Sequence, residues 1–377
     1  MAHSTIMLAA AGSGKTYYIA NHLNPNEKNL IITYTNQNVA NLKREITSVH
    51  GEIPKNTQVL TFSSFVYRWL LKPFEPILEV GNKMGVITSG VEINKEPEPQ
   101  RKNGKLNFRY FKQDDYRHYI YNQKYYSSRM ISLVLNQSKE VKKIILQRLY
   151  KFCDQIYFDE LQDFIGKDFD LLLTLVKDKN IKVFAVGDFF QHSVSKSNFT
   201  SNKPFMKKGK IYITKEEYKL LFKGDIFIDE VTLIKSRRVP QEICDFIKNK
   251  LKIHISSSSD VKGHYELLDT ESTISEVLED ENIVKLFFKD SRKYNCLPTI
   301  NWGYSKGDTY KRSCIILTKT FEGLFEKEFS CDRLTSSQIN TLYVAMTRAT
   351  DALYFIKESD FKRLKARYLI LNESELV

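Results

Sequence analysis

The residues best equipped for chemistry form two short runs. The first, Ala9-Ala10-Ala11-Gly12-Ser13-Gly14-Lys15-Thr16, joins an apolar stretch over Thr5–Ala10 to a segment that reads as a helix from about Lys15. A glycine turn between a buried strand and a helix N-terminus can turn successive amide N–H groups toward a phosphate. Lys15 would then reach the β- and γ-phosphates, and the Thr16 hydroxyl would ligate Mg²⁺. The second run, Ile156-Tyr157-Phe158-Asp159-Glu160-Leu161-Gln162-Asp163, is an apolar strand that ends in carboxylates. Beside a phosphate loop, Asp159 can hold the metal through water, and Glu160 can orient and deprotonate the attacking water. Either run alone has an ordinary reading, a chance glycine turn or an acidic strand end. In this order they imply nucleoside-triphosphate hydrolysis.

The elements that must position these residues alternate between strand and helix, the signature of an α/β fold. Leu30–Thr35 reads as a second strand with an amphipathic helix after it, around Val39–Ile46. Val59–Phe62, Ile156–Asp159 and Val183–Val186 read as further strands. Between about 74 and 151 the character changes. Pro, Glu and Lys are frequent from Val91 to Lys105, a tyrosine-rich basic stretch follows, and a helical stretch runs through Leu149. This predicts a small, mainly helical insertion. A second α/β region begins near Leu233, with strands expected around Thr299–Trp302, Ser313–Leu317 and Leu353–Ile356.

The 377 residues suffice for two or three domains, and 42% hydrophobic content supports sizeable cores. A net charge of +12 favours a polyanionic partner, although a solvated basic surface gives the same number. No apolar run approaches the roughly 18 residues of a membrane span. The short apolar start runs directly into the glycine turn, unlike a secretory leader. Cys153, Cys244, Cys296, Cys314 and Cys331 are scattered without a CxxC pair, which argues against a zinc site or disulfide frame and predicts a cytoplasmic location.

With these runs in place, the chain resembles the superfamily 1 helicases of the UvrD/Rep type. AAAGSGKT is similar to their phosphate loop, ITYTNQNVANLKREI (Ile32–Ile46) to TFTNxAAxxMxxRI, and TFSSF (Thr61–Phe65) to TxHSF. FDELQD matches DExQD, and VGDFFQ (Val186–Gln191) resembles VGDxxQ. LIKSRRVPQEI (Leu233–Ile243) resembles the motif whose arginine reaches the γ-phosphate, and TLYVAMTRAT (Thr341–Thr350) is close to YVAxTRA. NWGYSKGDTYKRSCIIL (Asn301–Leu317) resembles HSAKGLEF plus a strand, in an SKGxT form similar to smaller UvrD-like proteins.

The resemblance implies two RecA-like P-loop domains in tandem. The first is split over 1–73 and 152–232, an accessory domain fills 74–151, and the second covers 233–377. ATP and Mg²⁺ are the implied cofactors, and single-stranded DNA or a single-strand/duplex junction is the implied partner, with 3′-to-5′ movement. Glu160, Gln191, Arg238 (with Arg237 beside it) and Arg348 are the implied catalytic residues. Gly12, Ser13, Gly14, Lys15, Thr16, Gln162, Lys306, Gly307 and Thr309 would bind nucleotide, with Thr16 and Asp159 at the metal. Thr35, Asn36, Thr61, Ser64 and Phe65 would meet the strand.

The pattern also departs from the family. No glutamine motif precedes the first strand, Thr309 stands where the family has glutamate, and the tryptophan expected after VGDxxQ is missing. Phe199, Tyr34 or Phe65 are candidate replacements for that stacking ring. Too few residues separate Arg238 from Lys306 for the family's large accessory insertion. The tyrosines of 74–151 fit either a DNA-facing surface, with Tyr110, Phe111, Lys112, Arg117, Lys124, Tyr125 and Tyr126, or the half-buried core of a small domain. A rival to the helicase reading is a nucleotide-gated regulatory subunit of a DNA-processing or phage-defence complex, switching a partner such as a nuclease. An RNA-directed motor is a third.

Overall fold

The computed structural model describes residues 4–192, 203–207 and 212–370. The chain divides into two compact units. The first comprises Met1–Met7, Thr16–Val186 and Ser197–Asp229, and the second Leu8–Lys15, Gly187–Lys196 and Glu230–Val377. The fold is α/β, and both units are built on a largely parallel sheet.

The first unit's sheet contains β1 (Ser4–Leu8), β2 (Asn29–Thr33), β3 (Thr57–Thr61), β4 (Gln155–Phe158), β5 (Lys182–Gly187) and β6 (Ile226–Asp229), in the order β6-β1-β5-β4-β2-β3. β1 pairs in parallel with β6, β4 with β5 and with β2, and β2 with β3. Every residue of β2 and β4 is buried, which explains why these strands read as continuous apolar runs rather than alternating ones. Helix α1 (Lys15–His22) follows β1, and α2 (Asn36–His50) follows β2. The Thr35 hydroxyl caps α2 by accepting from the Asn38 amide at 3.1 Å. The helix buries Leu42 and Ile46 and ends at Gly51, whose φ of 79° suits glycine.

The α-helices of 74–151 lie in its second part, α3 (Met130–Asn136) and α4 (Lys139–Phe152), with only short 3-10 turns before them. Residues 79–126 instead form two- and three-residue strands, so the expectation of a mainly helical segment holds only after Met130. One hairpin pairs Arg101–Lys102 with Lys105–Leu106 through Asn103 and Gly104, both at positive φ. Tyr119, Tyr125 and Tyr126 are buried at 3%, 0% and 7% exposure, as the core reading of these tyrosines requires. Helix α5 (Gly166–Lys177) packs Phe169, Leu172 and Leu175 inward.

The second unit's sheet contains β7 (His264–Leu268), β8 (Ile283–Phe287), β9 (Thr299–Asn301), β10 (Tyr310–Ile316) and β11 (Ala349–Ile356), in the order β7-β11-β10-β8-β9, all parallel. Helices α6 (Gln241–Leu251) and α7 (Ser336–Met346) supply Ile243, Ile247, Leu342 and Met346 to one core, which also takes Ala10, Ala11, Trp302 and Phe355. Among the described residues, no helix is long and apolar enough to cross a membrane.

Candidate nucleotide and strand sites

Gly12 and Gly14 of the turn after β1 are required by their backbone. Gly12 and Gly14 have φ of 68° and 87°, a region that costs other residues about 1 kcal/mol or more. Space matters too. A Cβ at Gly12 would meet Ser236 Oγ at 2.8 Å and Arg238 Cβ at 2.9 Å, and one at Gly14 would touch the Arg237 guanidinium at 3.4 Å. The loop is anchored by its own amides. Ala9 N–H donates to Gly187 O (2.8 Å), Ala10 N–H to Leu233 O (2.8 Å) and Ala11 N–H to the Tyr343 hydroxyl (3.1 Å). The Gly12 carbonyl accepts from the Arg237 amide at 2.9 Å. Ser13 Oγ is buried and, among the described residues, has no hydrogen-bond partner. Lys15 is 9% exposed. A tight glycine turn, an orphaned hydroxyl, a buried ammonium and two arginines at the glycines fit a polyphosphate.

The acidic strand end lies in the first unit. Asp159 continues β4, its amide donating to Ile32 O at 2.9 Å, and it is 2% exposed. Its Oδ1 accepts from the Glu160 amide at 2.9 Å. Glu160 sits in the left-handed region (φ 55°, ψ 51°), which a non-glycine residue adopts only where the surroundings hold it. The Glu160 carboxylate accepts from the Gln162 side-chain amide. Gln162 is thus placed to orient Glu160. Thr16 is half-buried at the start of α1.

In the second unit Asp188 is a hub. Its Oδ2 accepts from Gln191 Nε2 (3.0 Å) and from the Tyr343 hydroxyl (3.1 Å), and its Oδ1 from the Phe190 amide (3.0 Å). Burial and the facing Asp188 carboxylate push the Tyr343 hydroxyl far up, so it remains a donor. The same hydroxyl oxygen receives the Ala11 amide, joining VGDFFQ and YVAMTRA to the glycine turn through one atom. His192 is buried, its Nδ1 bonded to Phe189 O at 2.5 Å and its carbonyl accepting from Asn340 Nδ2 at 3.2 Å. Burial lowers its imidazole to about 4, with Lys306 adding to the effect, so the ring is neutral at neutral pH.

The arginines converge on one turn. Arg348 is 1% exposed and donates through Nε to Val344 O (2.7 Å), through Nη1 to Ser305 O (3.3 Å) and Asp308 O (3.2 Å), and through Nη2 to Thr347 Oγ1 (2.9 Å). Arg238 Nη1 donates to Asp308 O (3.1 Å) and to Thr309 Oγ1 (3.0 Å). The Thr309 hydroxyl therefore steadies an arginine. Lys306 is half-buried on the same turn, and Gly307 follows at φ 93°.

Gly12, Ser13, Gly14, Lys15, Gln191, Arg238, Lys306, Gly307, Thr309 and Arg348 belong to the second unit. Thr16, Thr35, Asn36, Thr61, Ser64, Phe65, Asp159, Glu160 and Gln162 belong to the first. Thr35 and Asn36 are exposed at the start of α2. Thr61 caps the turn after β3, accepting from the Ser64 amide at 3.3 Å and donating to Ser64 Oγ at 2.9 Å. Phe65 requires correction as a strand-stacking residue. Its ring is 0% exposed, packed beside Phe62, and offers no face to a base. Tyr34 is partly exposed instead, and Phe199 lies outside the described residues. Sequence reasoning gave no role to Tyr343, Asp188, Ser236 or Asp168. The first three lie inside or beside recognised motifs, while nothing in the sequence marks Asp168. All five cysteines are buried and free, and among the described residues no group of three or more His, Cys, Asp and Glu side chains is placed to hold a metal.

No family model matches the chain. No curated protein matches it either. Among solved structures it is similar to the helicase of the virus PRRSV, at 14% identity over 98% of this chain and a TM-score of 0.43. It is also similar to arterivirus nonstructural protein 10, a helicase, at 11% identity over 94% and a TM-score of 0.44. The same helicase in complex with DNA matches at 12% identity over 94%, with a TM-score of 0.43. The chain spans 56%, 60% and 61% of the lengths of these three.

Proposed function

We propose that this chain is an ATP-hydrolysing motor on single-stranded DNA, moving 3′ to 5′ on two RecA-like lobes, 1–73 with 152–232 and 233–377, with 74–151 as an accessory segment. The observation that carries the reading is the phosphate loop. Its left-handed glycines lie against Arg237 and Arg238, and Tyr343 ties it to Asp188 and so to Gln191. In this reading Gly12, Ser13, Gly14 and Lys15 hold the phosphates, and Thr16 and Asp159 would hold Mg²⁺, which would supply charge neutralisation to the phosphates. Glu160, steadied by Gln162, takes the proton of the attacking water. Arg238 and Arg348 stabilise the charge that develops on the phosphoryl group. Thr35, Asn36, Thr61 and Ser64 meet the strand.

Steady-state ATP hydrolysis, measured with single-stranded DNA, with single-stranded RNA and with neither, tests the proposal. The expected result is strong stimulation by DNA alone. Stimulation by RNA alone would move the motor to RNA, and turnover indifferent to nucleic acid would overturn it. A nucleotide-gated regulatory subunit is the second reading. It is favoured by the Arg348 guanidinium, which is engaged throughout by its own unit's carbonyls and by Thr347.

A further inference from the structure

Within the first unit, a cavity of about 180 Å³ opens between the turns after β2 and β3 and the start of α3. It is lined by Tyr34, Phe62, Ser63, Ser127 and Ile131, and by Asp168 from the first turn of α5. The volume is below the roughly 300 Å³ of a pocket for a drug-sized ligand and suits one heterocyclic ring system. Two rings shape it, Tyr34 and Phe62, with centroids 5.8 Å apart and planes 25° from parallel.

Asp168 is the unexpected member. It is 2% exposed, and the Tyr34 hydroxyl donates to its Oδ2. Its Oδ1 is buried with no hydrogen-bond partner among the described residues, a costly state for a carboxyl oxygen. Burial pushes the carboxyl up to about 7, so it is ionised at pH 8. Thr35 and Asn36 directly follow Tyr34, and Thr61 and Ser64 bracket Phe62 and Ser63. A carboxylate here repels phosphate, so the group it can favour is an N–H on a base edge.

We propose that this cavity receives one base of the bound single strand and selects bases with an exocyclic amino group, the Asp168 carboxylate accepting the N–H while Tyr34 offers its ring. The inference rests on the single-strand reading above. Cytosine and thymine make the sharpest pair. They have similar size, but cytosine presents an amino donor where thymine presents a carbonyl, an acceptor that would face an acceptor.

Fluorescence anisotropy at pH 8 with 20-residue oligo-dC and oligo-dT tests this on the unmodified protein. Oligo-dC should bind about tenfold more tightly, as expected for one charge-assisted hydrogen bond. Asp168→Asn should abolish or reverse that ratio, because the asparagine carbonyl can take the Tyr34 hydroxyl and leave an N–H₂ toward the thymine carbonyl. Equal affinity for the two oligonucleotides in the unmodified protein overturns the pocket and leaves the motor standing. A ratio unchanged by Asp168→Asn in a folded variant overturns the role of Asp168. Binding to neither oligonucleotide removes the single-strand reading and this inference with it.

Discussion

Two buried charged residues, one in each unit, are satisfied in opposite ways. In the first, Asp168 is 2% exposed and keeps one carboxyl oxygen without a partner among the described residues. In the second, Arg348 is 1% exposed, and Nε, Nη1 and Nη2 all donate to carbonyls or to Thr347. An acceptor left incomplete retains free energy that a ligand can release. A satisfied cation is already in place, and displacing it exposes several carbonyls at once. Asp168 is therefore suited to gaining a contact, and Arg348 to holding those it has.

The largest effect should come from paired substitutions. Glu160→Gln should lower turnover by roughly 10²–10⁴-fold, the usual worth of a general base, with nucleotide still bound and melting nearly unchanged. Arg348→Ala should also abolish turnover, but should lower Tm by roughly 5–10 °C because the carbonyls of Val344, Ser305 and Asp308 lose a donor. Calorimetry beside an ATPase assay reads both. Similar melting shifts for the two variants would break the comparison.

A second contrast is with pH. Asp168, hydrogen-bonded to Tyr34, is raised to about 7 by burial. The native carboxyl thus binds its proton more tightly than the unfolded one, ordinarily near 3.9. Its contribution to stability is complete below about pH 4 and is lost as pH rises toward 7. His192, facing Lys306, is lowered to about 4 by burial. There the unfolded state binds the proton better, so stability is lost as pH falls from about 6.5 toward 4. The two slopes oppose each other, and each approaches roughly 1.4 kcal/mol per pH unit within its window. Denaturant melts across pH 4–8 should show Asp168→Asn leaving a rising profile and His192→Gln a falling one. Parallel profiles would mean that burial does not set these two groups.

The smallest effect is that of Tyr343→Phe. It deletes the hydroxyl that takes the Ala11 amide and donates to Asp188, at a cost of about 1–2 kcal/mol. Chemical denaturation measures the loss, and an unchanged midpoint would show that the glycine turn does not depend on this link.

The parts legible in the sequence were those with a strong local cause. β1, its glycine turn and α1 announce themselves by an apolar run and by glycines that must take positive φ. β2, β4 and β5 are legible because both faces are buried. β7 was not, since His264, Tyr265 and Glu266 are exposed on an edge strand, nor was β8, whose buried Lys285 interrupts the apolar pattern. The strands of 79–126 are too short to show a period. Asp168 looks like an ordinary acid in the first turn of a helix, which helix dipoles favour anyway. Only its burial beside Tyr34, contributed from a distant part of the chain, distinguishes it.

The parallel pairing of Ser4 with Ile226 has a consequence for biosynthesis. The strand that leads into the Gly12–Gly14 turn leaves the ribosome more than 200 residues ahead of its edge partner β6, which is among the last segments of the first unit to be made. At roughly 5–20 residues per second the wait is about 10–45 s, during which that side of β1 remains an unpaired edge. A nascent chain of this protein therefore needs protection along that edge until residue 229 has emerged, and slowing translation just before β6 should increase aggregation more than slowing it just after.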